Sequence, residues 1–97
     1  MSATVHVVAR YIAKPGKEEA LKSVLTALIA PTRRELGCYQ YDLLWNPLDP
    51  REFCFVERWG SDEEVDRHGE TKHLKAAITD VEPLVEVPPE IKRYHIV

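Results

Sequence analysis

This chain of 97 residues has little sulfur and no dominant charge. Cysteine occurs twice and methionine once. Cys38 and Cys54 form neither a C-x-x-C pair nor a metal-ligand spacing, so a disulfide framework, a redox dithiol and a cysteine zinc site are excluded. Two free, partly buried thiols are expected. Thirteen Lys and Arg against sixteen Asp and Glu leave a net charge of −3, which gives nucleic acid or an anionic lipid surface no basic face to bind. The longest apolar run, around Val24 to Ala30, is far short of the roughly 20 residues of a membrane-spanning helix. The opening MSATVHVV lacks the basic and long apolar segments of a signal peptide. A cytoplasmic location is therefore expected.

What is present is an ordinary globular balance, 44% hydrophobic and 30% charged. That predicts a single domain over residues 1–97 with one modest core. TVHVVARYIA (4–13) is apolar on both alternating faces, as a strand covered on both sides would be. Lys14-Pro15-Gly16 breaks it. From Lys17, the spacing of Leu21, Val24, Leu25, Leu28 and Ile29 predicts an amphipathic helix, with Glu18 and Glu19 at the favourable end of its dipole. Pro31 should kink it or start a second short helix, and Gly37 should stop it. CYQYDLLWN (38–46) and EFCFVERWG (52–60) read as a hairpin whose two loop prolines cannot continue the ladder. A symmetric loop pairs 46 with 52, 44 with 54 and 41 with 57. One face then carries Tyr39, Tyr41, Leu43 and Trp45 against Phe53, Phe55, Glu57 and Trp59. The other carries Cys38, Gln40, Asp42 and Leu44 against Cys54, Val56 and Arg58.

Ser61-Asp62-Glu63-Glu64 is a capping box. The helix it opens should end at the basic turn Arg67-His68 with Gly69 as its stop, and Thr71 should cap the next helix. EIKRYHIV (90–97) reads as a last strand. The order is β-α-β-β-α-β, an α+β, ferredoxin-like protomer with a four-stranded antiparallel sheet and a broken second helix. Both strand faces are apolar, so a second copy of the chain is the expected cover for the face without helices, as a homodimer.

His68 and His73 are the candidate chemistry. Five residues on a continuous helix put two rings about 140° apart, and no nearby residue completes the three or four ligands zinc wants, so no metal is expected. One reading makes them ordinary helix-end residues. The other uses opposed dipoles: a helix start keeps His73 neutral and able to take a proton, and a helix end favours charged His68 as a donor. Glu57 likewise has two readings. It either reaches the strand end or an arginine, or it faces a cavity, bonded to Tyr41 and poised to orient a ligand.

VVARYIAKPGKEEAL, PTRRELGCYQYDLLWNPLDP and FVERWGSDEEVDRHGETKHLKAA together resemble the antibiotic biosynthesis monooxygenase family. The specific marks are Gly-Cys-x-x-Tyr after the first helix, and Glu-x-Trp followed by His-x4-His. The resemblance implies a dimeric α+β barrel built on the sheet face, with a pocket between sheet and helices. It also implies oxidation of a small quinol or polyphenol by O2 with no cofactor. The residues for this would be His73, His68 and Glu57, with Trp59, Tyr41, Phe55 and Tyr39 around the substrate. The alternatives are an isomerase of a small polar metabolite and a non-catalytic ligand-binding dimer. Haem-degrading members use an asparagine and a histidine where this chain has Ala9 and Ile78, which argues against haem breakdown. Lys72 replaces the family's usual proline before the second histidine.

Overall fold

The computed structural model describes residues 4–97. The first three residues of the stretch read for a signal peptide lie outside the described residues. The elements run β1 (Val5–Ile12), α1 (Glu18–Ala27), α2 (Ile29–Arg33), β2 (Cys38–Trp45), β3 (Glu52–Trp59), α3 (Asp62–Gly69), α4 (Lys72–Val81), a 3-10 turn (Glu82–Leu84) and β4 (Glu90–Tyr94). The strands form one sheet in the order β2-β3-β1-β4, every neighbouring pair antiparallel. This is the ferredoxin-like arrangement.

The alternation read in β1 becomes burial. Val5, Val7, Ala9 and Tyr11 point to the helices and are buried, with Phe53, Phe55 and Trp59 beside them on β3 and Tyr41 on β2. Leu21, Leu25 and Leu28 cover them from α1 and its end, and Ala77 and Val81 from α4. A fully buried side chain such as Phe55 contributes about 1.5–3 kcal/mol through area removed from water. Pro31 lies inside the separate short helix α2, one of the two outcomes read for it. No helix among the described residues is long and apolar enough to cross a membrane.

The hairpin register is as read: Tyr41 faces Glu57, Leu44 faces Cys54, and the Asn46 amide donates to the Glu52 carbonyl at 3.2 Å. Two residues depart from it, Cys38 and Tyr39: Cys38 was read on the opposite face and packs against the core instead. A bulge between Cys38 and Gln40 puts Cys38, not Tyr39, opposite Trp59. An extra residue in one strand reverses the alternation beyond it. Tyr39 therefore leaves the aromatic face on which the sequence reading placed it. It is more than half exposed, with the Arg58 guanidinium 5.4 Å above its ring.

Gly69 does not stop α3, since its φ is not positive and Glu70 continues in right-handed geometry. The break lies two residues after Gly69, at Thr71. The Thr71 hydroxyl donates to the His68 carbonyl at 2.8 Å and accepts from the Leu74 amide at 3.3 Å. One side chain thus closes α3 and opens α4.

Candidate active site

The junction at Thr71 brings the two histidines together. Their ring centroids are 6.2 Å apart, which five residues of unbroken helix would not allow. Between them lies a residue that sequence reasoning missed. Glu35 Oε2 is 2.7 Å from His68 Nδ1 and 2.7 Å from His73 Nε2. A carboxylate only accepts, so both of those ring nitrogens carry protons. His68 Nε2 and His73 Nδ1 are left with no hydrogen-bond partner among the described residues.

Glu35 is placed by a turn between α2 and β2. Its amide donates to the Thr32 carbonyl, and its carbonyl accepts from the Cys38 amide at 3.2 Å. Gly37 makes that turn with φ +83°, a conformation that suits glycine. The Glu64 carboxyl occupies the space a Cβ on Gly37 would take. Glu64 therefore packs over Gly37, while Ser61 Oγ still accepts from the Glu64 amide at 3.3 Å. A signal for Glu35 does exist in the sequence. A carboxylate just beyond a helix C-terminus is disfavoured by the dipole, so an acid there calls for a proton donor from elsewhere.

His68 is 6% exposed, its ring 4.8 Å from that of Trp59 and 5.7 Å from that of Tyr41. Burial pushes its pKa down, opposed by Glu35. Burial thus works against the charged form of His68 that a helix end favours. His73 stands in the first turn of α4, behind the Thr71 cap as expected, and its side chain is partly exposed.

Glu57 is buried and faces the helices, but its partner is Trp59, whose Nε1–H donates to Oε1 at 2.9 Å. The expected bond to Tyr41 is replaced by this one, because residues i and i+2 of a strand stand side by side. Burial raises the Glu57 pKa to about 7, the Trp59 bond opposes the rise, and the Glu35 charge adds to it. Burial, with help from Glu57, pushes the Tyr41 hydroxyl far up and Tyr11 up to about 12. Both tyrosines are therefore neutral. Of the seven residues singled out in the sequence, Glu57, Trp59, Tyr41, Phe55 and His68 share the buried face, His73 borders it through Glu35, and Tyr39 lies outside.

The open space lies elsewhere. A cavity of about 450 Å³ lies between α1, α4 and the segment that leads into β4. Tyr11, Leu25, Leu28, Leu74, Ala77 and Val81 line its inner wall, and Ile78, Glu82, Val85, Glu86, Val87, Pro88, Pro89 and Ile91 complete it. None of the residues nominated from the sequence lines it. It is tied to them in two ways. Leu74, in its wall, follows His73 on α4. Tyr11 meets Phe55 edge-on at 6.3 Å, Phe55 stacks on Tyr41 at 4.3 Å, and Tyr41 meets His68 at 5.7 Å. A row of buried rings thus runs from the cavity wall to the histidines.

The chain is 38% identical over 73 residues to Rv0793 of Mycobacterium tuberculosis, which is named as a candidate monooxygenase. The match covers 75% of this chain and 71% of that protein. It is 30% identical over 80 residues to YcnE of Bacillus subtilis, named in the same way, with 82% and 84% covered. The crystal structure of PA3566 from Pseudomonas aeruginosa superposes with a TM-score of 0.93 at 35% identity, covering 100% of this chain and 97% of that one. The model of the antibiotic biosynthesis monooxygenase family matches residues 4–80. The marks read in the sequence and the fold built from them agree with these matches: the chain belongs to the antibiotic biosynthesis monooxygenase family.

Proposed function

We propose that the protein is a monooxygenase that oxidises a small quinol or polyphenol with O2 and needs no cofactor to do so. The observation that carries this is the apolar cavity whose wall leads, through Leu74 and the ring row, to a histidine pair held by a carboxylate. The substrate ring would sit among Tyr11, Leu28 and Ala77 with its hydroxyl at the Leu74 end of the cavity, and the partly exposed His73 ring, one residue before Leu74, would turn inward to reach it. Glu35 holds the Nε2 proton of His73, so Nδ1 is the nitrogen that takes the substrate proton. His68, whose Nδ1 is 2.7 Å from Glu35 Oε2, would fix Glu35 from the buried side. Glu57, titrating near pH 7, would exchange a proton with the site. Trp59, Tyr41 and Phe55 supply the rigid apolar backing.

Deprotonation in an apolar cavity makes the substrate anion electron-rich. The anion passes one electron to O2. The resulting radical pair joins at a ring carbon that bears hydrogen, and the peroxide anion so formed takes back the proton held on His73 to give a hydroperoxide. Loss of water then leaves a carbonyl, with one oxygen atom in the product and the other in water.

Among the cavity residues the only charged ones are the acids Glu82 and Glu86. That mostly apolar lining, without a lysine or arginine, suits an aromatic ring better than the small polar metabolite of an isomerase. The homodimer is part of the same proposal: the face away from the helices carries Val8, Ile12, Leu44, Val56 and Tyr94, none of them fully buried by this chain.

The test is turnover of reduced quinones and anthrones under 18O2 by the purified protein. One labelled oxygen per product molecule supports monooxygenation. Binding without oxygen uptake would make the protein a ligand-binding dimer instead.

A further inference from the structure

Glu35, His68 and His73 come from three separate segments of the chain, yet their donor atoms lie within 4.8 Å of one another. We infer that Glu35 Oε2, His68 Nδ1 and His73 Nε2 form a binding site for a divalent first-row transition ion such as Zn2+ or Co2+.

The donor chemistry selects this class. Two imidazoles and one carboxylate suit Zn2+, Co2+, Ni2+ or Fe2+, whereas Ca2+ and Mg2+ require oxygen ligands. Ligands about 2.1 Å from one ion stand about 3 Å apart when they are neighbours in its shell. The two 2.7 Å nitrogen–oxygen separations are close to that edge. His73, at the first turn of α4 and the most exposed of the three, is the ring able to swing the remaining distance. The wall is already supplied: His68 is packed on Trp59 and Tyr41, and the Gly37 turn fixes Glu35. Ligand counting on the sequence stopped at two histidines because the third donor lies 33 residues before the first of them.

Three protein ligands leave at least one position open on the ion, the arrangement of reactive rather than purely structural sites. Binding also has a consequence for His73. An ion on Nε2 forces the ring proton onto Nδ1, the nitrogen proposed above as the base, so occupancy would block oxidation. That consequence rests on the proposed function, whereas the binding itself does not.

The test is calorimetric titration of the chelator-dialysed, full-length protein with ZnCl2, alongside visible spectra with CoCl2. The expected result is one ion per chain at micromolar affinity, with cobalt bands lacking thiolate charge transfer. Glu35→Ala and His73→Ala should each weaken binding by at least about 10-fold, since even losing a ligand's outer partner costs on the order of 10- to 100-fold. His73→Ala removes a partly exposed ring, so the test stands if Glu35→Ala does not fold. Absence of binding up to millimolar zinc would overturn the site. So would binding that survives both substitutions, or that is lost in Cys38→Ser with thiolate bands present in the parent. Oxygen uptake plays no part in this outcome, so the metal site and the proposed oxidation stand or fall separately.

Discussion

Glu57 shows how far a single buried acid can shape this molecule. Its carboxyl titrates near 7 in the fold because burial disfavours the ion, against an ordinary value of 4.5. The protonated form is the one the fold prefers. Stability linked to Glu57 is therefore fully present below about pH 4.5 and is lost as pH rises towards and through 7, on the order of 3 kcal/mol in all. Glu57→Gln keeps an acceptor for Trp59 Nε1 and removes the titration. Urea unfolding should then show the variant more stable than the parent at pH 8 and similar to it at pH 5. Parallel profiles for the two proteins would place the titration elsewhere. That Glu57 faced inward was legible from strand alternation. Its partner was not, because alternation fixes the face of a side chain and says nothing about which neighbour on that face it bonds. Glu35 was harder still. It belongs to a turn with no periodicity, and its contacts are 33 and 38 residues away.

At the scale of elements, the junction at Thr71 does most to assemble the site. The cap was legible: a threonine before a new apolar stripe marks a helix start. The exact break was not, because Gly69 looks like a stop but remains in right-handed geometry, with the hydrogen bonds of Thr71 setting the end instead. Thr71→Ala removes both of those bonds. The loss of the cap alone should cost about 1 kcal/mol in thermal or urea unfolding. The variant should also lose oxygen uptake out of proportion to that small change, because His68 and His73 lose their fixed separation. Val is the harsher replacement, since it keeps the bulk but offers no oxygen. Retention of full uptake by both variants would mean that the junction only caps helices. The β2 bulge failed to appear in the sequence reading for a related reason: a bulge adds one residue without changing composition, so an alternating pattern runs through it unbroken. Tyr39 was misplaced as a result, while Tyr41, Leu43 and Trp45 beyond it kept their register.

At the scale of the whole molecule, the sheet order followed from the succession of elements, because a β-α-β-β-α-β chain with short connections has few ways to close. The cavity could not be read. It forms where α1, α4 and the proline-rich segment before β4 fail to meet, and such a gap depends on packing distances. The sheet face away from the helices is the remaining open surface, and all of β4 is exposed on this chain. Sedimentation equilibrium at micromolar concentration should report a dimer, and Val56→Glu, in the middle of that face, should shift it to monomer. A parent protein that sediments as a folded monomer would remove the dimer from the account.

In the proposed reaction His73, held by Glu35, takes the substrate proton. Oxygen uptake by metal-free His73→Ala on a confirmed substrate of the parent measures it most directly, with unfolding free energy recorded on the same sample. A loss of on the order of 100-fold in rate is expected, with stability within about 1.5–3 kcal/mol of the parent, the worth of one hydrogen bond to a charged group. A variant that keeps the parent's rate would contradict it, and would leave the two histidines as residues that brace a helix junction.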